Sequence, residues 1–415
     1  MKSYLTLALK VLQRRKFFTF ISLFGISLTL VVLVVAAAML DDVFGPHAPQ
    51  SRFDRVLMLS RVSKYGPQVT TNMNPGYGFL HDYVLNLPGI ERASAYTELV
   101  TTAIYRGGER IETRLRRTDA DYWKILDYHF LEGGPFTAAD VQRGAHLAVI
   151  TDELRTKLFG NVAAAGRSFE LEGERYQVVG VVEGVPITRI AAYSQMWTPV
   201  TTMRTDWQRK FLGDFYCIVL ARKRSDFGRI QAEFARRVDT IPIDDPKVYT
   251  EIRASINTPF ETLARELMNG PGMRKFNRQA PLIVELIIAL VAIIYMTLPA
   301  LNLVTLNLSR MLERAPEIGV RKAFGAPPGA LVSQFVLENI VLTLIGGVCS
   351  FVLATAALAA INGSGVIDGA RFALNWRVFA WGLGIAVFFG ILSGFYPAWR
   401  MSRLHPVEAL RGGAQ

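Results

Sequence analysis

The charged side chains best placed to act together lie in one short stretch. Residues Arg310 to Ala326 read Arg-Met-Leu-Glu-Arg-Ala-Pro-Glu-Ile-Gly-Val-Arg-Lys-Ala-Phe-Gly-Ala, between two long apolar runs. Pro316 suits a first helical position, where its missing N–H has no intrahelical partner to lose. Glu317 follows at the positive end of the helix dipole, Arg321 and Lys322 sit near the negative end, and Gly325 can close the helix in a left-handed conformation. Glu317 precedes Arg321 by four residues, the favourable order for an ion pair on a helix face. A helix of about ten residues is marginal alone in water. It therefore docks on something: a membrane surface that only satisfies its charge, or a partner protein.

Other chemistry is sparse. The chain has no Gly-x-x-x-x-Gly-Lys-[Ser/Thr] loop, so it should not bind ATP through a Walker motif. His47, His81, His129, His146 and His405 are scattered, without a His-Glu-x-x-His pair or paired cysteines to hold zinc. Asp119, Asp121 and Asp140 could form a site, but solvated or capping acids explain them more simply. No nucleophile-elbow pattern occurs. The expectation is a non-catalytic chain with no metal and no cofactor of its own.

The elements around the charged stretch are membrane spans. Hydrophobic residues make up 51% of the 415, enough for a membrane sector plus a folded domain. Four charge-free stretches reach the roughly 20 residues a transmembrane helix needs: Phe17–Leu40, Leu286–Leu308, Ile340–Ile361 and Val378–Ala398. Lys2, Lys10, Arg14, Arg15 and Lys16 precede the first with no acid among them. Arg310, Arg314, Arg321 and Lys322 outnumber Glu313 and Glu317 between the second and third, and Arg400, Arg403 and Arg411 outnumber Glu408 after the fourth. The positive-inside rule puts these three segments, and both termini, in the cytoplasm. Most of the formal charge of +11 is thus a topology signal, and its division among short juxtamembrane segments argues against nucleic-acid binding. The first apolar run is longer than a signal-peptide core, so it is expected to be retained. Cys217 falls in the outer domain and Cys349 within a span, so the two should not pair. Glu285 can snorkel to the interface at the outer end of the second span. Pro299 and Asn302 could mark a kink, and Gly390-x-x-x-Gly394 allows close helix approach within one subunit or between two.

The fold class expected is an α-helical membrane protein with four transmembrane helices and a mixed α/β extracytoplasmic domain inserted between the first and second. Its parts are an amphipathic lead-in (1–16), spans at 17–40, 281–308, 335–361 and 378–398, a two-lobed outer domain (41–280), a cytoplasmic loop (309–331), a short external loop (362–377) and a cytoplasmic tail (399–415). Within the outer domain Arg55–Val62 alternates like a strand and Gly78–Leu87 reads as a helix. Ser168–Glu172 and Arg175–Val182 read as a hairpin turning at Gly173-Glu174. Phe215–Ala221 reads as a strand, and Ser225–Asp239 as an amphipathic helix with Ser225 as N-cap.

The wording Glu317-Ile318-Gly319-Val320-Arg321-Lys322-Ala323-Phe324-Gly325-Ala326 closely resembles the cytoplasmic loop of MacB/FtsX-type (type VII) ABC-transporter permeases. The resemblance recurs in Leu131-Glu132-Gly133-Gly134-Pro135-Phe136-Thr137 with Asp140, where Gly134 stands at a place often held by Arg. It recurs in Leu158-Phe159-Gly160, Gly166 and Val178–Val182, which are similar to the MacB-type periplasmic core. It recurs again in Tyr396–Arg403 and Pro406–Arg411 at the exit of the last span. The resemblance implies a permease dimer, homodimeric or paired, in a bacterial inner membrane. A separate ATPase would bind ATP and Mg and grip a coupling helix. Glu313, Glu317, Ile318, Gly319, Arg321, Lys322 and Gly325 would be the coupling residues, with Gly319 permitting close approach. Export by mechanotransmission, with an adaptor or outer-membrane partner in the periplasm, is the expected work. A signalling subunit controlling an extracytoplasmic enzyme or a lipoprotein-release partner is the alternative, and an assembly anchor the third.

Overall fold

The computed structural model describes residues 16–106, 108–269, 279–313, 328–365 and 372–403. The chain divides into two compact units. One comprises the residues up to Asp41 with Glu285–Val366 and Phe372–Gln415; the other comprises Asp42–Val284 and Ile367–Arg371.

In chain order the first helix, α1, runs Lys16–Phe44 and is followed by β1 (Val56–Leu59), β2 (Val62–Tyr65), β3 (Thr70–Pro75), α2 (Tyr77–Tyr83), β4 (Ile90–Thr97), β5 (Val100–Arg106) and β6 (Glu109–Thr118). Next come α3 (Tyr122–Ile125), β7 (Phe130–Gly133), α4 (Ala138–Gln142), β8 (Leu147–Thr151), α5 (Asp152–Phe159), β9 (Ser168–Leu171), β10 (Glu174–Val182) and β11 (Met196–Pro199). The remainder holds β12 (Leu212–Gly213), β13 (Phe215–Ala221), α6 (Phe227–Asp239), β14 (Glu251–Ala254), α7 (Pro259–Asn269), α8 (Ala280–Glu313), α9 (Pro328–Ser364) and α10 (Trp376–Arg403).

The outer unit is built on a ten-stranded sheet ordered β1-β13-β4-β6-β11-β8-β10-β7, with β5 on β6 and β9 on β10. A four-stranded sheet, β12-β3-β2-β14, accompanies it. Most pairs are antiparallel, but β8 with β10 and β6 with β11 run parallel. The expected hairpin is present as β9–β10, with its turn one residue earlier than expected: Glu174 already belongs to β10, and the turn residues Glu172 (φ 53°) and Gly173 (φ 79°) are both left-handed, the geometry that matches strand twist. Phe215–Ala221 is a strand over the expected span. Its side chains alternate between two cores: Phe215, Cys217, Val219 and Ala221 pack with Phe79, Ile230 and Phe234, whereas Ile218 and Leu220 pack with Tyr96, Tyr122 and Trp197. Burial on both faces explains its unbroken apolar run. The two lobes share a sheet, because β13 and the β9–β10 hairpin are strands of the same one.

Three local expectations need correction. Arg55–Val62 is not one strand: the chain breaks at Ser60-Arg61, so β1 joins the large sheet and β2 the small one. The Gly78–Leu87 helix is shorter, ending at Tyr83, with its backbone closed by Val84 N–H on the Leu80 carbonyl. Ser225 does not cap α6; it lies in a 3-10 turn (Arg224–Asp226), and Asp226 takes the cap position while pairing with Arg229 at 3.2 Å.

In the helical unit, three helices among the described residues are long and apolar enough to cross a membrane: Thr19–Phe44, Val336–Ser364 and Trp376–Ser393. A shorter apolar stretch, Ala280–Tyr295, opens the 34-residue α8. Phe20, Leu286, Val291, Ile293, Val348 and Trp381 are exposed, an outward apolar surface that suits hydrocarbon and not water. Inward packing relies on small residues. A Cβ on Gly346 would lie 2.9 Å from Ile26, one on Gly347 2.6 Å from Leu383, and one on Gly390 2.7 Å from the Thr343 hydroxyl. Gly390 therefore serves contact between α9 and α10 of one chain. The buried hydroxyls of Ser27, Thr343, Ser350 and Ser393 all donate to backbone carbonyls, as buried polar groups must where no water reaches them.

Candidate functional site

Of the coupling residues expected from the sequence, Glu313 is the last residue of α8. Glu317, Ile318, Gly319, Arg321, Lys322 and Gly325 lie outside the described residues, as does the lead-in before Lys16. What frames that segment is described: α8 continues helically past residue 308 to Glu313, and α9 opens on Pro328, a residue suited to a helix start. Glu285 is exposed on α8.

The other end of the apolar helices carries a feature the sequence did not disclose. Two adjacent acids, Asp41 and Asp42, lie near the end of α1. Asp41 accepts a hydrogen bond from Asn375 at 3.1 Å, and Asn375 in turn caps α10 through the Arg377 N–H at 3.0 Å. Asp42 belongs to the outer unit and is buried there. It pairs with the Arg189 guanidinium at 3.1 Å and accepts from the Thr188 hydroxyl at 2.7 Å. Arg189 is also buried, and it donates to the carbonyls of His47 (3.0 Å) and Ala48. One guanidinium thus fastens the last turn of α1 and the loop after it to the segment before β11. Removing either charge would strand the other in a poorly solvated place.

The acids singled out from the sequence each do local work. Asp119 turns its carboxylate inward, accepting from the Ser94 hydroxyl (2.7 Å), the Ala95 N–H (2.9 Å) and the Tyr122 N–H (3.0 Å). Burial pushes its pKa up to about 6, against the lowering effect of those three bonds. Asp121 makes exposed pairs with Arg92 and Lys124. Asp140 forms a capping box with Thr137 at the start of α4, and the Thr137 bonds hold its pKa below the usual carboxylate range. Glu132 accepts from the N–H groups of Ala164 (2.7 Å) and Ala165 (3.1 Å) and from Arg155; these bonds outweigh burial and hold its pKa low. Glu132 and Asp140 therefore anchor loops. The described histidines are similarly dispersed: His81 pairs with Asp82, His129 approaches Glu183, and His146 packs edge-on against Tyr176. Cys217 is buried and Cys349 exposed, and both are free thiols.

Comparison with known proteins finds a match in each part of the chain. Residues 19–237 match the MacB-like periplasmic core domain, and residues 287–406 match the FtsX-like permease C-terminal region. The chain is 23% identical over 327 residues to the uncharacterized ABC transporter permease YknZ of Bacillus subtilis, covering 78% of this chain and 76% of that protein. It is 27% identical over 300 residues to the pyoverdine export ATP-binding/permease protein PvdT of Pseudomonas syringae, covering 70% of this chain and 42% of PvdT. It is 23% identical over 426 residues to the macrolide export ATP-binding/permease protein MacB of Wolinella succinogenes, covering 97% of this chain and 60% of MacB. The chain thus spans less than two thirds of these two ATP-binding/permease relatives. Among solved structures, the periplasmic region of MacB from Actinobacillus actinomycetemcomitans is similar at a TM-score of 0.38 and 12% identity, covering 52% of this chain and 94% of that one. The extracellular domain of the transporter YknZ aligns at 0.34 and 16%, covering 48% and 98%.

Proposed function

Because the chain belongs to the family of ABC-transporter permeases that join a MacB-like periplasmic core domain to an FtsX-like membrane region, we propose that it is a membrane subunit passing the work of a separate ATPase to an extracytoplasmic domain. In this reading α8 is a fourth span beside the three long apolar helices. Both termini and the 314–327 segment face the cytoplasm of a bacterial inner membrane, and two such permeases work as a pair.

Glu313, Glu317, Ile318, Gly319, Arg321, Lys322 and Gly325 form the grip for the ATPase, which alone binds ATP and Mg. Nucleotide then biases a bundle with two packings, because the ATPase makes different contacts with each. The observation that supports this reading best is the anchoring of α1. It is one unbroken helix, Lys16–Phe44, whose last turns carry Asp41, bonded to Asn375, and Asp42, ion-paired to Arg189. The output is mechanical: it drives export of a substrate from the periplasmic side, with an adaptor or outer-membrane channel as the next partner.

The experiment is purification of the chain in lipid, alone and from native membranes after mild cross-linking. Alone it should hydrolyse no ATP above background. From membranes it should bring down a P-loop ATPase, identified by mass spectrometry. Robust turnover by a preparation proven free of ATPase, or a cross-linked sample without one, overturns the reading.

A further inference from the structure

The outer unit holds a pocket of about 290 Å³, open to solvent on one side and close to the lower end of small-molecule sites, which run roughly 300–1,000 Å³. Its walls are largely apolar and aromatic, with Phe44, Phe53, Met58, Tyr96, Tyr193 and Leu263 among them. Of the buried polar side chains in its lining, two carry atoms without partners. Gln50 is 2% exposed, and neither its amide oxygen nor its amide nitrogen has a hydrogen-bond partner. Arg116 is 3% exposed; its Nη1 donates to the carbonyls of Ile190 (3.1 Å) and Ala191 (2.6 Å), its guanidinium lies 4.8 Å from the Tyr96 ring centroid, and its Nε has no partner.

Among the described residues no carboxylate pairs with Arg116. The two acids of the cavity wall, Glu98 and Glu266, are both exposed to solvent, and Arg114 is occupied by the Tyr193 hydroxyl at 3.4 Å.

Buried polar groups without partners are rare, because each forfeits its hydration. The Arg116 Nε and the Gln50 amide nitrogen, on the lining of one largely apolar pocket, are donors that an occupant bearing acceptor oxygens satisfies. One guanidinium and one amide N–H₂ match a planar, singly charged, two-oxygen group. A doubly charged phosphate would need more donors than these two side chains offer. The aromatic walls require the rest of the occupant to be apolar.

We infer that this cavity binds an amphiphile with a single carboxylate on an apolar body, its carboxylate held by Arg116 and Gln50 and its body against Phe53, Met58 and Tyr193. The site lies wholly in the outer unit, so it stands or falls independently of ATPase coupling.

The test uses the full chain in lipid nanodiscs and dodecanoate bearing a terminal diazirine. After irradiation, labelled peptides are mapped by mass spectrometry, and labelling of the apolar helices by probe dissolved in lipid serves as the internal reference. Labelling is expected in segments 183–195 and 256–268, displaced by excess dodecanoate and not by dodecanol. Arg116→Met should lower outer-unit labelling at least tenfold, with tryptophan-fluorescence unfolding confirming that the variant is folded. Gln50→Leu, which removes two orphaned polar atoms and so spares the fold, should lower it several-fold and decides the matter if Arg116→Met does not fold. Labelling confined to the apolar helices overturns the inference. So does equal competition by dodecanol, or wild-type labelling in the folded variants.

Discussion

Arg189 holds Asp42 from 147 positions away in the sequence, and both side chains are nearly dry. Removing one partner of a buried pair costs about 3–5 kcal/mol, mainly because the other charge is left uncompensated. Arg189→Met should therefore destabilise the outer unit by about that amount in urea unfolding followed by tryptophan fluorescence. The double variant Asp42→Asn/Arg189→Met should recover part of the loss, since the stranded carboxylate is gone. Equal losses in the single and double variants would show that the ion pair is not the source.

Asp119 gives a pH-dependent signature at the same scale. Its folded pKa of about 6 lies above the unfolded value of about 3.9, so between these limits the folded state retains a proton that the unfolded state has lost. Its contribution to stability therefore falls as pH rises from about 4 to 6, by up to about 3 kcal/mol, and is constant beyond. Glu132 and Asp140 act with the opposite sign and elsewhere. Their lowered pKa values stabilise the fold above the unfolded carboxylate range, and that support is lost as pH falls through their folded values. Asp119→Asn should flatten the pH 4–6 slope of unfolding free energy and leave the steeper acid loss below it. An unchanged slope in the variant would assign it to another group.

At the level of elements, the sequence was most legible where the signal is local. The β9–β10 hairpin announces itself through Gly173, one residue off in register, and β13 through an apolar run buried on both faces. The break at Ser60-Arg61 was hidden, because an alternating pattern continues across a point where the chain changes sheets. Ser225 looked like a cap because residue type alone cannot distinguish a cap from the 3-10 turn preceding it. The Asp42–Arg189 pair and the cavity around Gln50 and Arg116 join residues that only the tertiary fold brings together, so no spacing rule could find them. Glycine packing was half legible: Gly390-x-x-x-Gly394 suggested close approach, and the structure supplies the partner, Thr343.

That contact yields a prediction for the helical unit. Gly390→Leu should overpack α9 against α10 and cost roughly 1–3 kcal/mol, read as a lower temperature of detergent-solubilised aggregation. Gly384→Leu is the control, since a Cβ there meets nothing within 4 Å. Similar losses in both variants would point to a general effect of leucine and not to the Gly390–Thr343 contact.

At the scale of the whole molecule, the proposed function pairs an ATPase-bound cytoplasmic segment with an extracytoplasmic α/β domain. Its central claim is that an ATPase holds the Glu313–Gly325 segment, and Glu317→Lys tests that claim most directly. In the helix expected from the sequence, the substitution reverses the charge at the positive end of the dipole and removes the i,i+4 partner of Arg321. Those local effects amount to about 0.3–1 kcal/mol, too little to unfold the protein. Loss of a partly buried ion pair to a partner costs far more, roughly 2–5 kcal/mol of binding. The variant should therefore insert and accumulate normally, yet lose ATPase co-purification and ATP-dependent function, with a matched charge swap on the ATPase restoring part of both. Full ATPase binding and full activity in Glu317→Lys would contradict the coupling assignment and leave the segment as a charged turn on the membrane surface.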